Sequence, residues 1–501
     1  MSHAGANLRD SAHSTSDGLR DYASRDLRPE IRWVLLVASI AVLSVALPAA
    51  LLVSVPTAPR SEAWIITLVI SVWSGVRLSI IWVSGVPRLF DYFLWVFTYI
   101  FMGVAPTAQI LSGLTSTTTP GVDPGMDLPT AFIVALGLGC YEIGRLAWIL
   151  REQHRGRRAT IEVLRVNPIR TIIVAVMGIL IGAYFVSRVG FAGSLGSREG
   201  AQAARSAAWP DPAVRAVLYA GAVYPLLVAT GALTQLVRSS VDRVNRRWMM
   251  AAALIAGVVL LLIVNPVASA RYTFGTVAFA LAVFLGAVAT RIRARVTMLA
   301  GIVGFLAIFP IADAFRREDS VVTRAGFFEE YLSNPDYDAF WQIANALSYV
   351  IDGLVVPLRQ AMGSVLFFMP RAIWPDKPTD TGILLAEYRG YSFDNLSAPM
   401  WAEALVNGGV VAVIIVFLVL GAALRAMDTR MVPAFASGGA WAIAGAILPV
   451  YMTILLRGSL LQATGALMIT ILAVAVVADR RPAAAHRDDT QPPGYSRSSP
   501  L

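Results

Sequence analysis

The chain alternates between long apolar stretches and short polar connections. Apolar runs of roughly 20 residues, the length with which a helix crosses the hydrocarbon core of a bilayer, recur between residues 33 and 478. Most runs are bounded by Arg, Pro or Gly, and the pattern predicts about twelve transmembrane helices. The predicted spans are 33–55, 64–83, 90–112, 130–150, 171–191, 214–236, 249–266, 273–290, 296–313, 408–424, 434–456 and 459–478. The fold class that follows is an all-α polytopic membrane protein.

The stretches between and around these spans predict the domain organisation. The two ends of the chain are polar and rich in Ser, Arg and Asp, so we expect disordered tails there. The predicted parts are a cytoplasmic tail at 1–32, a membrane domain of about nine spans at 33–313, an extracytoplasmic loop domain at 314–407, a membrane domain of about three spans at 408–478 and a second cytoplasmic tail at 479–501. Apolar stretches at 353–358 and 363–369 are too short to span, and we expect short interfacial or re-entrant helices there.

The distribution of arginine predicts the orientation. Connections rich in Arg lie at 151–170, 238–247, 291–295 and 425–430, all on the side of the N-terminal tail. Cytoplasmic loops carry an excess of Lys and Arg, so the positive-inside rule puts both termini in the cytoplasm. The long connection 314–407 then lies outside, and a long ordered loop on one face is where we expect function.

The overall composition excludes a soluble protein. Hydrophobic residues make up 56% of the chain, charged residues 15%, and the mean hydropathy is +0.64. Such a surface cannot be wetted all round, so membrane lipid must be part of the solvent. The formal net charge is +9, but the arginines lie between apolar runs, where they face anionic lipid, and we expect no nucleic-acid partner.

The scarcity of cysteine and histidine narrows the possible chemistry. Cys140 is the only cysteine and lies in an apolar run, so an internal disulfide and a cysteine metal cluster are excluded. The four histidines all fall in segments predicted to be cytoplasmic, namely His3, His13, His154 and His486. We therefore expect no metal site and no cofactor, and an extracytoplasmic general base would be a carboxylate.

The run 367–382 holds the densest group of charged candidates in the loop domain. Two cations, Arg371 and Lys377, and two carboxylates, Asp376 and Asp380, stand there beside three prolines. Proline restricts the backbone, so these charges are expected to be held in place, and Lys377 is the only lysine of the chain. The run indicates either a functional site or an interfacial charge cluster.

A further carboxylate precedes the tenth predicted span. Glu403 and Asn407 are four residues apart, which places them on one face if the segment is helical. Glu403 then lies within about two turns of the membrane. It is interpreted as a catalytic carboxylate or, equally, as a helix-capping or interfacial one.

Arginines on the outer side depart from the positive-inside pattern. Arg271 lies between two spans joined by a short turn, and Arg198 and Arg317 lie in outer connections. The alternatives are a snorkelling side chain for Arg271 and surface ion pairs for Arg198 and Arg317. If these cations converge, they form a site for an anion at the outer membrane boundary, and a diphosphate suits several guanidinium groups.

Three stretches carry a resemblance to a known family. They are the Asn-Pro-Asp-Tyr-Asp-Ala-Phe run at 334–340, the run 367–378 and the segment 403–409; in addition, Arg371, ten further residues and Gly382 form an arginine-to-glycine spacing. On these residues the chain resembles the O-antigen polymerase (Wzy-type) family of oligosaccharide repeat-unit polymerases. The similarity is concentrated between 334 and 409. The corresponding spacing after Arg188 ends on Glu199 instead of a glycine, which leaves Arg188 outside the pattern.

The resemblance implies a function and a set of roles. A metal-independent glycosyltransferase of the bacterial cytoplasmic (inner) membrane would move a growing glycan from undecaprenyl diphosphate onto the next lipid-linked repeat unit. Its partners would be undecaprenyl-diphosphate-linked glycans, membrane lipid, and a chain-length regulator and a flippase. Glu403 would be the first choice for the base, before Asp380 and Asp376; the diphosphate would be held by Arg371, Lys377, Arg271, Arg198 and Arg317.

Three rival interpretations remain open. An O-antigen ligase shares the architecture and the donor, but its resemblance would require an extracytoplasmic histidine, which this topology lacks. The other large class of membrane glycosyltransferases carries an acidic pair in its first outer loop, where this chain has only Glu62. A non-enzymatic transporter of lipid-linked glycan would need charges within the membrane, for which Arg77, Glu142 and Arg145 are candidates.

Overall fold

A computed structural model of the chain describes residues 26–154, 164–308 and 327–479, and these residues form a helical bundle. Ten of its helices are long and apolar enough to cross a membrane, by length and composition. In chain order they are α1 (Pro29–Ser54), α2 (Ala63–Ser84), α3 (Leu89–Leu111), α4 (Pro124–His154), α5 (Pro168–Val189), α8 (Pro212–Ser239), α9 (Arg243–Ile263), α16 (Met400–Ser437), α17 (Ala440–Arg457) and α18 (Leu460–Val477). The prediction of an all-α polytopic membrane protein agrees with this architecture.

The remaining elements are shorter. The predicted span 273–290 corresponds to a helix of 14 residues that ends at Phe284, and the description of the predicted span 296–313 ends at Ile308, so the count of twelve stays a prediction. The shorter helices are α6 (Phe191–Leu195), α7 (Arg198–Ala208), α10 (Arg271–Phe284), α11 (Arg291–Val303, continued as a π-helix at Gly304–Ile308), α12 (Glu329–Ser333), α13 (Ala339–Ile351), α14 (Arg359–Val365) and α15 (Thr381–Arg389). Strands β1 (Arg165–Val166) and β2 (Ala478–Asp479) pair antiparallel.

Local sequence explains where several helices begin. Asn167 and Asp211 stand immediately before Pro168 and Pro212, and each side chain accepts a hydrogen bond from a backbone N–H of the first turn. An Asx residue at the N-cap satisfies an N–H that the helix leaves free, and a following proline has no N–H to lose. The two dipeptides therefore fix the starts of α5 and α8.

Connections of the bundle collect at two opposite ends. At the first, here called the loop end, segment 327–399 contacts the short connections between spans, as when the Tyr391 hydroxyl donates to the Pro120 carbonyl at 2.9 Å. At the second, the arginine-rich end, β1 pairs with β2 and Arg295 Nη2 donates to the Val83 carbonyl at 2.8 Å. The arginine-rich connections thus share one end, as predicted. Which end faces the cytoplasm stays a prediction from the positive-inside rule.

Helices α4 and α16 approach each other at two glycines. A Cβ on Gly144 would lie 2.0 Å from the Leu418 carbonyl oxygen, and a Cβ on Gly421 would lie 2.0 Å from that of Tyr141. Small residues allow such close backbone contact, which supplies dispersion attraction where lipid removes the hydrophobic driving force between helices. The contact fixes the position of α16, which carries Glu403.

We expect Gly144→Ala to destabilise the protein by about 1–3 kcal/mol, because the added methyl group forces α4 and α16 apart. The measurement is the temperature at which the purified protein loses its monodisperse peak in detergent. Gly139→Ala on the same helix is the matched control, since a Cβ there meets nothing within 4 Å. Equal midpoints for the two variants would contradict this account of the packing.

The loop domain and its boundary with the tenth span depart from prediction in three places. The stretch 353–358 is not helical, because α13 ends at Ile351, Gly353 has φ 70° and Pro357 follows. Helix α14 covers only the start of the apolar stretch 363–369. The tenth span was predicted to begin at 408, whereas α16 begins at Met400 and is interrupted at Gly408 and Gly409, which have non-helical φ/ψ. Residues 314–326 of the predicted domain lie outside the described residues.

Candidate functional site

A turn at the loop end places two aspartates against two arginines. Asn334 caps a 3₁₀ turn at Pro335–Tyr337, its side chain accepting a hydrogen bond from the Asp336 N–H at 2.9 Å. Asp338 follows and precedes α13. The Asn-Pro pair thereby fixes a bend that directs both carboxylates towards the turn between α17 and α18.

Arg271 and Arg457 converge on Asp336. Arg271 Nη2 lies 3.0 Å from one carboxylate oxygen of Asp336, and Arg457 Nη2 lies 3.0 Å from the other. Arg457 also donates to the Asp336 carbonyl from Nε at 3.1 Å and from Nη2 at 2.9 Å. Its Nη2 is 3.5 Å from Asp338 Oδ1. We call Arg271, Arg457, Asp336 and Asp338 the arginine–aspartate cluster.

The charges of this cluster are unevenly balanced. Burial alone would raise the pKa of Asp336, but Arg457, Arg271 and Arg198 outweigh it and lower the pKa. Burial raises the pKa of Asp338, against the opposing effects of Arg457 and a hydrogen bond from the Ser397 N–H at 3.0 Å. Two arginines thus contact the aspartates, and Arg198 adds a weaker electrostatic effect on Asp336, an arrangement that favours a further anion beside the cluster.

A second group lies on the other side of the same turn. The Glu403 side chain is buried, with Oε2 accepting from the Thr381 hydroxyl at 3.0 Å and Oε1 from the Leu460 N–H at 2.8 Å. Asp380 caps α15 by accepting from the Gly382 N–H at 2.7 Å, and burial raises its pKa. Glu403 and Asp380 form the carboxylate pair of the site.

The turn at Arg457–Ser459 joins the two groups. The Arg457 carbonyl accepts from the Ala398 N–H at 2.8 Å, and Ser459 Oγ accepts from the Thr381 N–H at 3.4 Å. Arg457 belongs to the arginine–aspartate cluster, and Leu460 holds Glu403. A cationic site and a buried carboxylate thus both contact one short segment, a geometry suited to holding a charged leaving group near a base.

Arg371 and Lys377 have a different immediate environment. Arg371 is exposed and donates to the Lys377 carbonyl at 3.0 Å, while Lys377 Nζ donates to the carbonyls of Phe367 at 2.6 Å and Met369 at 3.1 Å. These bonds tie the run into a hairpin-like bend. Burial and, less strongly, Arg371 lower the pKa of Lys377. The cations predicted to bind a diphosphate are therefore divided between two places. Arg271 contacts Asp336, on which the charge of Arg198 also acts, whereas Arg371 and Lys377 stabilise a separate bend.

A cleft of about 250 Å³ opens beside this bend. Its lining contains two cations, Arg359 and Lys377, and two acids, Asp376 and Glu387, together with Tyr349 and Thr379. Asp376 is exposed there, and its carbonyl accepts from Arg359 Nη2 at 3.3 Å. Mixed donors and acceptors beside an aromatic ring can bind a polar organic ligand. Arg317 lies outside the described residues.

Sequence reasoning missed several members of the site. Asp336 was noticed only as part of a run that resembles a family, and Thr381 and Ser459 were not singled out. An available signal was the acidic pair itself, since arginines in outer turns require partners at that depth. Within the described residues, no group of three or more His, Cys, Asp or Glu side chains could hold a metal ion.

The fold and site define the chain as a polytopic α-helical membrane protein with a charged site at one end of its bundle. No protein-family model, no curated protein and no solved structure matches the chain.

Proposed function

We propose that the protein is a membrane glycosyltransferase that polymerises undecaprenyl-diphosphate-linked repeat units into a surface polysaccharide, such as O-antigen or exopolysaccharide, on the extracytoplasmic face. The observation that carries the proposal is the convergence of Arg271 and Arg457 beside the buried Glu403, across one turn. Guanidinium groups stabilise a leaving diphosphate, and a carboxylate removes the proton of an attacking hydroxyl. The resemblance at 334–409 covers Glu403 and the two aspartates of the cluster, whereas Arg271 and Arg457 lie outside that range.

The proposed reaction assigns each group one task. The oxygen of an acceptor sugar hydroxyl forms a bond to the anomeric carbon of the donor as the bond from that carbon to the diphosphate oxygen breaks. The electron pair leaves with the diphosphate, which Arg271, Arg457 and Arg198 hold, and the hydroxyl proton passes to Glu403. Asp380 and Asp376 are the alternative bases. Thr379 lines the cleft two residues from Thr381, so the acceptor approaches Glu403 from that side.

A ligase is less well supported. The described histidine, His154, lies in the last turn of α4, at the arginine-rich end of the bundle, and contacts the Leu150 carbonyl. His3, His13 and His486 lie outside the described residues. The proposed base therefore remains a carboxylate.

A transporter of lipid-linked glycan is the second candidate, favoured by a charge network inside the bundle. Arg77 Nε lies 2.8 Å from Glu142 and Arg77 Nη2 lies 3.2 Å from Asp91, while Arg145 is 2.7 Å from Glu142. The pairing thus extends beyond the pair within α4 that the sequence suggested, and it includes Asp91. Arg77 pairs with acids on two other helices, and Arg145 pairs within α4. Because each of these charges has a partner, the network also suits a purely structural role.

The test is glycan chain length on gels in a host strain deleted for this chain. We expect single repeat units in the deletion strain, a full ladder with wild type, and loss of most polymer with Arg271→Gln, because the diphosphate loses one guanidinium group. Arg188→Gln, a change at an exposed arginine of the same end, is the matched control and should restore the ladder. An unchanged ladder in the deletion strain would remove the polymerase proposal. Loss of glycan export without a change in chain length would favour the transporter.

A further inference from the structure

Helix α14 has its polarity reversed relative to a helix on a water-exposed surface. Gln360, Gly363 and Ser364 are buried, whereas Met362 and Val365 are 52% and 70% exposed. A helix in water buries its apolar face and exposes the polar one. The reversed pattern indicates that the surroundings of α14 are apolar.

The apolar exposure continues on both sides of α14. Most of the large apolar side chains that segment 327–399 exposes lie between Ile351 and Ile373. We define the apolar edge by those from Leu358 onwards. They are Leu358, Met362, Val365, Phe368 and Ile373, which are 52–71% exposed. Exposed apolar side chains concentrated in one short segment indicate a contact with protein or membrane.

The neighbours of the apolar edge indicate lipid as the contact. Helix α14 packs against α18, and a Cβ on Gly465 of α18 would lie 3.5 Å from the Phe367 ring. Only 22% of the residues of α18 are buried inside the bundle, so its outer surface faces the membrane. The apolar edge therefore continues the lipid-facing surface of α18 up to the loop end.

Cations stand where the apolar edge meets the cleft. Arg359 follows Leu358 directly and lines the cleft with Lys377, and Arg371 precedes Ile373 by two residues. Basic side chains beside exposed apolar ones match the phosphate and the hydrocarbon of a lipid. Asp376 and Glu387 of the cleft offset two of the three charges and offer acceptors for hydroxyl groups, which suits a phosphate joined to a sugar better than a free anion.

We propose that the apolar edge and the cleft form a binding site for a polyprenyl-phosphate-linked glycan that arrives from within the membrane leaflet. The polyprenyl chain lies along Met362, Val365 and Phe368. The phosphate lies between Arg359 and Arg371, and the sugar enters the cleft. This inference rests on the proposed function, because it assigns the lipid-linked acceptor a position at the same end of the bundle, apart from the donor diphosphate at Arg271 and Arg457.

The experiment uses the full chain in phosphatidylcholine nanodiscs that contain a photoreactive undecaprenyl phosphate with a diazirine near its phosphate. Labelled residues are identified by mass spectrometry. We expect labels within 358–373, and about tenfold less labelling for Arg359→Gln, the loss of one charge-assisted contact. Phe368→Gln with Ile373→Gln should reduce labelling similarly. The matched controls are Arg188→Gln and Phe191→Gln, at an exposed arginine and an exposed phenylalanine elsewhere at the loop end.

The outcomes separate this site from the proposed function. Labelling that both sets of variants leave unchanged, or that phosphatidylglycerol suppresses as well as undecaprenyl phosphate, would overturn the site in favour of general lipid contact. Suppression by inorganic diphosphate at equal concentration would also overturn it, by showing a site for the anion alone. A ladder that needs Arg271, without labelling of the edge, would retain the polymerase and remove this site. Labelled edge residues in a protein that makes no polymer would retain this site and remove the polymerase.

Discussion

Arg457→Gln is expected to abolish polymer and to lower the free energy of unfolding by about 3 kcal/mol, since breaking a buried ion pair leaves an uncompensated charge. Arg457 is the residue that contacts both aspartates, and the Asp338 side chain is 3% exposed. Asp336 keeps Arg271 as a partner, which is why the expected loss lies at the lower end of the range for buried pairs. The measurements are chain length on gels and the melting midpoint of the purified protein in detergent.

Structural and functional roles of Arg457 can be separated by removing its partners. Asp336→Asn and Asp338→Asn added to Arg457→Gln eliminate the unpaired carboxylates, and we expect much of the lost stability to return. Polymer should stay absent, because the diphosphate still lacks a guanidinium group. If the triple variant regains a normal ladder, Arg457 serves only to neutralise the two acids, and the proposed diphosphate site is wrong.

Glu403→Gln should reduce polymer formation by about 100-fold or more, the usual effect of removing a general base. The substitution keeps the size of the side chain. Its amide oxygen can accept from the Leu460 N–H and its amide NH₂ can donate to the Thr381 hydroxyl, so both contacts of Glu403 have substitutes. We therefore expect an unchanged melting midpoint, with polymerisation followed in membranes from the complemented deletion strain.

Two further variants define what the Glu403 result means. Glu62→Gln, at an exposed carboxylate of the same end, is the matched control and should leave the ladder intact. Glu403→Asp keeps a base at a greater distance and should retain partial activity. Wild-type polymer from Glu403→Gln would exclude Glu403 as the base and move attention to Asp380 and Asp376.

The membrane-spanning part of the fold could be predicted because lipid imposes a simple requirement. A spanning helix must satisfy its backbone internally over about 20 apolar residues, and such runs are visible in one dimension. The start of α16 was misplaced for the same reason. Hydropathy favours a beginning at Gly408, whereas Trp401 and Leu405 already lie in a buried helical segment, packed at the loop end. The break at Gly408 and Gly409 separates that segment from the apolar run.

The site could be predicted only in part, because its members are far apart in sequence. Arg271 was singled out by its depth, but its partner Asp336 comes 65 positions later and the second guanidinium group, that of Arg457, more than 100 positions after that. Nothing in residue spacing pairs these three side chains. By contrast, Asp380 and Thr381 are adjacent, yet the contact of Thr381 with Glu403 depends on how α15 packs against α16. Arg371 was favoured for its charge, and its hydrogen bond to the Lys377 carbonyl appears only in three dimensions.

The turn at Arg457–Ser459 is short enough to connect the arginine–aspartate cluster directly to the contacts of Glu403. Arg457 contacts Asp336 and carries one of the guanidinium groups that we propose bind the diphosphate, and the N–H of Leu460, three positions later, is one of the two groups that hold Glu403. If a diphosphate displaces Arg457, as the proposed function requires, we expect the short turn to move the Leu460 N–H relative to Glu403 as well. Release of the diphosphate should then restore the hydrogen bond between them. In the proposed mechanism, occupancy of the anion site and the hydrogen bonding of Glu403 are therefore coupled through a few backbone bonds.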